Sequence, residues 1–595
     1  MQDPLTRLPP ELILKILEFA PPASLASLTR TSQAWHTFTD EIHQDVIYSS
    51  STKTNRPTGS RDFDFLQNAT SFAKYYSGTS SWKDLCRRQT LLPRNWDSER
   101  PVTTESVVQI TNSPVWRFRP DFKRRFFVST SQAGGLNVTD MDSGQLLWRL
   151  ESTLHNDDTG QHRVRPYAHL EYQDGTACFD CEGDAIEVWK TELEEGMGRG
   201  EFRRVAVLEH NYQTRGLQLS YNTLCVVSTQ GKGFVYDFSE REPKSARVLD
   251  IEQNAIGHLD QNEEVVMYSM GKGYHVHSKT TGELLTILDP SVCEDFYHVK
   301  HPLPRTATPA GPGRHGPTVR SFPPESPSTD RLTPITIDQD RFPRPADAQT
   351  SLEEDEWGAG MLNGDLMAGV SRGGRVLVCT GWKKALKKGG NPESMEIIEC
   401  DADGTSFDLG GWLSVKNGRV MFEVQERVYV VALGEDGKVQ TSAQSKRQRA
   451  SWCYLTSSAP QLAVPVSFMA LFDDCIMHTF TTLGWRQRNR SPNANPEEEI
   501  GPARIFPTKT IRVLSLAPDL TGTGSGTPSP VLWEPNRVAW EQRETETAQQ
   551  GILRLVAMLG NQLEEEEDAM LENALMGLDP DDEEGGDENE GGEEE

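Results

Sequence analysis

Gly231-Lys232-Gly233-Phe234-Val235-Tyr236 returns forty residues later as Gly271-Lys272-Gly273-Tyr274-His275-Val276. Related strands read Gly135-Leu136-Asn137-Val138 and Ala185-Ile186-Glu187-Val188-Trp189. Ile397-Ile398, Arg427-Val428-Tyr429-Val430 and Ile511-Arg512-Val513-Leu514 continue the series. The first four are preceded by apolar runs at 125–130, 176–180, 223–228 and 264–269. Turns of the type Asp142-Ser143-Gly144 and Thr281-Gly282 follow two of them.

Short strands with Gly and Asp turns, repeating at roughly 40–45 residues, are what the blades of a WD-type β-propeller require. The spacing therefore predicts a mainly β body over 102–540, of about seven degenerate blades, the seven strands just quoted being their inner strands. Only Ile186-Glu187-Val188-Trp189-Lys190 approaches the dipeptide that names the repeat, with Lys where Asp is usual. Pro302 to about Ala348 is rich in Pro, Thr, Ser and Arg and is expected to form no core strand. It holds Thr308-Pro309, Ser326-Pro327 and Thr333-Pro334, expected to tune stability or partner choice. Segments 487–502 and 521–530 read as shorter loops of the same kind.

The first 48 residues are different in character. Leu12, Ile13, Ile16, Leu17 and Ala20 fall on one helical stripe, Pro9-Pro10 precedes it and Pro21-Pro22 stops it. Leu25, Ala26 and Leu28 suggest a second short helix, and Trp35, Phe38 and Ile42 a third. Three such helices cannot each bury a face alone, so they pack together or on a partner.

The order Leu8-Pro9-Pro10-Glu11-Leu12-Ile13-Leu14-Lys15-Ile16-Leu17, then Leu25, Leu28 and Trp35, resembles the F-box family. In that family the unit docks on the Skp-type adaptor of cullin-RING ubiquitin ligases. The resemblance assigns adaptor binding to Leu8, Pro9, Ile13, Ile16, Leu17, Leu25, Leu28 and Trp35; the competing reading is a helical unit packed only on its own body. Ser81-Trp82-Lys83-Asp84-Leu85-Cys86-Arg87-Arg88 with Arg94-Asn95-Trp96 looks like the segment joining F-box to propeller in F-box proteins with WD repeats. Here Tyr48 to Ser80 intervenes, so the family's fixed F-box-to-body spacing is not expected. Residues 49–101 read as a linker with a short helix, 541–578 as a C-terminal helix and 579–595 as an acidic tail too charged to fold.

The chain has 595 residues and a net charge of −28. Leu563 to Glu595 alone holds 17 acidic residues and no Lys or Arg, which leaves −11 for the rest. That balance argues against nucleic acid as the main partner. Nine scattered cysteines suit a reducing compartment, and no apolar run reaches membrane-spanning length. A cytoplasmic or nuclear protein is expected.

No catalytic motif emerges. Cys178-Phe179-Asp180-Cys181 lacks a second ligand pair, and His275, His277, His298 and His301 lack a third ligand on a fixed loop. Gly522-Thr523-Gly524-Ser525-Gly526 lacks the strand–helix context of a nucleophile elbow. No cofactor and no metal are expected. Lys123-Arg124-Arg125, Lys383-Lys384 with Lys387-Lys388, and Lys446-Arg447 with Arg449 are solvated turns or sites for acidic peptides.

Together these features point to a non-enzymatic substrate receptor of an SCF-type ubiquitin ligase. Its partners would be a Skp-type adaptor, cullin and RING subunits, and a protein substrate, phosphorylated or not. The alternatives are an F-box scaffold outside ubiquitination, or a propeller enzyme with converging carboxylates or histidines in its channel.

Overall fold

In the computed structural model, the glycines of the quoted repeat sit at its turns. Gly231 and Gly271 have φ of 74° and 76°, the left-handed region that glycine enters without cost, between the second and third strands of their sheets. A Cβ on Gly233 would stand 2.4 Å from the Tyr268 hydroxyl of the next sheet. In both copies the first glycine thus reverses the chain; Gly233 then lets two sheets approach, whereas a Cβ on Gly273 would meet the Leu288 carbonyl of its own sheet at 2.8 Å.

The structure describes residues 3–520, outside 53–70 (apart from Phe63 and Leu66), 111–113, 155–161, 301–331, 341–351, 401–411, 442–448, 457–465, 487–503 and scattered single or paired positions. The predicted 541–578 helix, the acidic tail, the 521–530 loop, Thr308-Pro309 and Ser326-Pro327 lie outside the described residues. Nearly all the described residues belong to one compact unit, Met1–Arg305 with Pro327–Thr482 and Thr508–Glu534. A second grouping, Thr306–Ser326, Leu483–Pro507 and Pro535–Glu595, includes only strand ends among the described residues.

The body is a β-propeller with seven four-stranded blades among the described residues. Blades 1 to 6 span 115–150, 170–208, 214–250, 259–288, 357–399 and 413–455. Blade 7 takes Met469–Leu471, Cys475–Arg486 and Arg504–Ser515, and its fourth strand is Thr104–Val108. Thr104 pairs with Ser515 and Val108 with Ile511, so the two ends of the body close the ring in one sheet. Closure removes the exposed inter-blade edge that an open array would leave.

From blade 1 to blade 7 the first strands of successive blades pack on one another around the axis, and the fourth strands of blades 1, 3 and 4 are the more exposed, while those of blades 5 and 6 are largely buried. This corrects the strand assignment made from the repeat. Six of the seven quoted strands are third strands of their blades, and Ile397-Ile398 belongs to the fourth strand of blade 5.

The 302–348 segment also differs from expectation. Asp295–Lys300 and Thr333–Asp340 pair antiparallel as a hairpin on the rim. Asp295–Lys300 runs parallel to the fourth strand of blade 5, and Thr333–Ile335 pairs with that of blade 6, joining both blades in one ten-stranded sheet. Pro334 sits where the strand has a neighbour on one side only among the described residues, the edge position at which a missing N–H is tolerated.

The N-terminal helices are α1 (Pro4–Arg7), α2 (Pro10–Leu17), α3 (Pro22–Leu28), α4 (Gln33–His36), α5 (Gln44–Ser50) and α6 (Trp82–Trp96). After α4 the chain widens into a π-helical turn over Thr37–Ile42, which retards the phase of the predicted third stripe. Thr39 is buried there and Ile42 is exposed.

Candidate functional site

The single apolar stripe read on α2 is two faces. Ile13 and Leu17 point inward, where with Leu25, Ile47, Tyr48, Trp82, Leu85 and Cys86 they form a small core. Leu12 and Ile16, with Phe19 just past the helix end, share a neighbouring side about 100° round the helix, with exposures of 52, 59 and 82%, and Leu8 in the extended stretch before the helix is 36% exposed. A helix with a second apolar stripe left bare beside the buried one has a surface suited to another chain.

The eight predicted adaptor residues divide accordingly. Leu8, Pro9 and Ile16 are exposed, and Leu28 and Trp35 are half-buried against the core. Ile13, Leu17 and Leu25 are sealed inside it and hold the helices together, which corrects their assignment as surface contacts. Leu12 and Phe19 belong to the outward face; their spacing of four and three from Ile16 is the sequence signal for them.

One helix belongs to two cores. Trp82, Leu85 and Cys86 at the start of α6 complete the N-terminal core, and Leu92 and Trp96 at its end enter a propeller core with Val430, Trp452 and Ile476. Asp40 fixes the first end, accepting hydrogen bonds from Lys83 Nζ at 2.6 Å and Tyr48 Oη at 2.9 Å. At the second end Arg419 donates to the Trp96 carbonyl and to Asp97, and Trp96 Nε1 donates to the Asp473 carbonyl at 3.1 Å. The intervening segment is clasped as well. The buried Asp474 carboxylate accepts from the Ser71 hydroxyl and from the amides of Phe72 (2.9 Å) and Ala73 (3.0 Å). The insertion before α6 therefore does not loosen the joint: unit and body share a helix.

Asn417, Phe472 and Asp473, which line a cavity with the end of α6, lie in turns that follow first strands. The starts of those strands mark the other face, because neighbouring strands in a blade run antiparallel. There Trp116, His169, His258, Trp412 and Phe468 fall within one residue of a first-strand start in five blades. Arg117 lies 3.8 Å from the ring centre of Trp412, and Arg119 4.1 Å from that of Phe468. Trp116 meets Tyr167 edge-on at 5.2 Å. Burial, with Arg119 alongside, pulls the Arg117 guanidinium down to about 9. Burial alone would raise the Glu171 carboxyl, but Arg119 and His169, at 3.1 Å, hold it below its usual range. Burial lowers the His169 pKa as well. This mouth mixes stacked rings with guanidiniums, groups suited to gripping a polypeptide.

The other predicted candidates do not converge. Cys178 is buried in a strand and Cys181 lies beyond its end; desolvation raises both thiols. Among the described residues no His, Cys, Asp or Glu cluster fits a metal ion. His275 and His277 sit on blade 4, and His298 lies 3.4 Å from Glu399 on the rim hairpin's side of blade 5. Arg124 is engaged by Asp121, Asp174 and Glu192, and Arg125 by Asp142. Lys384 pairs with Glu393, and Arg449 with Asp97. His301, Lys388, Lys446 and Arg447 lie outside the described residues.

An F-box-like family profile matches residues 5–45, and the chain carries an F-box-like domain there. No curated protein matches the sequence. Among solved structures, the β-propeller domain of Cps50 (Swd1) from Myceliophteria thermophila aligns at 10% identity and a TM-score of 0.36, over 69% of this chain and 99% of that one. The computationally designed Ika8 protein aligns at 13% identity and 0.34, over 63% and 95%. The propeller assignment stands on the strand pairing above.

Proposed function

We propose that this chain is the substrate-recognition subunit of an SCF-type ubiquitin ligase. The observation that carries the reading is the bare row Leu12, Ile16 and Phe19 along the outer side of α2, with Leu8 exposed just before it. An F-box-like unit seats a Skp-type adaptor on that row, and through it the cullin and RING subunits. Three large apolar side chains left in water at helical spacing, with Leu8 beside them, suit the anchors of a helix-in-groove contact.

The second support is α6. Because it completes both cores, the adaptor side and the propeller keep one relative placement. A substrate held on the mouth, the face away from α6, then stands at a set distance from the bound ligase. The chain contributes proximity and no covalent step, raising the effective concentration of substrate lysines near the activated ubiquitin.

Recovery of adaptor and cullin with the intact chain and with a Leu12→Glu/Phe19→Glu variant tests this. Both side chains are exposed, so the fold survives the change. The reading expects the variant to lose both partners while its clients accumulate. Retained adaptor and cullin would overturn it, and adaptor loss with unchanged client abundance would favour a scaffold outside ubiquitination.

A further inference from the structure

The joint between α6 and the propeller encloses a cavity of about 360 Å³. That is within the range of small-molecule sites, roughly 300–1,000 Å³. Tyr76, Trp96 and Phe472 give it aromatic walls, and Lys416, Arg419 and Arg449 line it with cations. It lies on the face opposite the mouth and away from the outward side of α2, so neither of those surfaces accounts for it.

Among the described residues its charges do not balance. Asp97 Oδ1 alone receives both guanidiniums, from Arg419 Nη2 at 2.8 Å and Arg449 Nε at 3.0 Å. The other donors of Arg449 end on the carbonyls of Asn417, Gly418 and Leu433, which accept hydrogen bonds and cancel no charge. Arg419 Nη1, buried, makes no hydrogen bond among the described residues. Lys416 is answered by Asp473 at 2.9 Å. The carbonyl end of α6 supplies about half a negative charge at most. A positive surplus therefore remains at this wall, in a chain whose net charge is −28.

We infer that the cavity binds a small anion carried on a flat ring, with its phosphate or carboxylate toward Lys416 and Arg449 and its ring against Tyr76, Trp96 and Phe472. Aromatic phosphates and aromatic carboxylates share this chemistry. Such a ligand touches α6 on one side and blades 6 and 7 on the other. Binding then stabilises the joint by mass action and raises Tm with ligand concentration.

Calorimetric titration of the full chain with phenyl phosphate, benzoate and uncharged benzamide tests the assignment and separates the two anion classes. At least one anion is expected to bind saturably at one site, with benzamide weaker by about tenfold or more. Lys416 is partly exposed and among the described residues its ion pair is with Asp473, so Lys416→Gln leaves the fold and weakens the anion by about three- to tenfold. Pro93 is exposed on the cavity rim, and Pro93→Trp covers the opening and abolishes binding. No saturable binding of either anion by folded protein would overturn the proposal. So would benzamide binding as tightly, or affinities unchanged in both variants. Adaptor capture, measured in parallel, does not depend on Lys416, so either reading can fail without the other.

Discussion

Trp96, in the last turn of α6, lies with its ring centre 6.1 Å from that of Trp452 in the fourth strand of blade 6. The Arg419 guanidinium stands 5.4 and 5.2 Å from the two rings. This packing turns α6 from a tether into a shared structural member. Cutting into it should be felt at both ends.

Trp96→Ala removes a large buried side chain and is expected to cost about 3–5 kcal/mol. Denaturant unfolding measures the loss. Paired spin labels on α3 and blade 2 should show a broader distance distribution than in the parent. A distribution of unchanged width would mean that other contacts alone set the placement of the F-box-like unit.

The two faces of α2 should respond differently to substitution. Ile13→Ala opens the small core and is expected to lower stability by about 2–5 kcal/mol. Ile16 is 59% exposed in the free chain, so Ile16→Lys should lower Tm far less than Ile13→Ala while abolishing adaptor binding. Thermal unfolding and titration with adaptor, run on both variants, separate the two effects.

Asp474 clasps residues 71–73 through three donors. Asp474→Ala strands those donors and is expected to cost about 1–3 kcal/mol. Amide exchange should accelerate over 71–79 more than in blades 2 to 4. Uniform acceleration across the propeller would show that the clasp supports the whole ring.

How much of the fold and site is legible in the sequence follows from element length and partner distance. The third strands stand out because a glycine turn precedes several of them and five or six residues follow. The innermost strands do not: Leu259–Gln261 and Met469–Leu471 are three residues each, too short to show alternation. The rim hairpin is hidden by Pro334 and by a parallel partner 101 residues away. On α2 the apolar residues are legible, but which side faces inward depends on α5 and α6. The mouth has no local signal, since its residues come from five blades and meet only when the ring closes.

Burial pushes the Asp260 carboxyl up to about 7, against the hydrogen bonds from the Leu362 amide (2.6 Å) and the Gln261 amide that favour its ionised form. A raised carboxyl binds its proton more tightly when folded. Its contribution is thus fully present below about pH 4 and is lost as pH rises toward 7. Asp260→Asn should remove that slope, leaving the variant the more stable by on the order of 1–4 kcal/mol at pH 8. Unfolding free energies from pH 4 to 8 check the sign, and a parent protein that gains stability relative to the variant with rising pH would contradict it.

The most direct test mixes two purified proteins, the full chain and a Skp-type adaptor, and measures association by analytical ultracentrifugation. The account predicts a one-to-one complex with the parent and none with Leu12→Glu/Phe19→Glu at equal concentration and equal Tm. A parent that stays free of adaptor, or a variant that binds it as well, would contradict it.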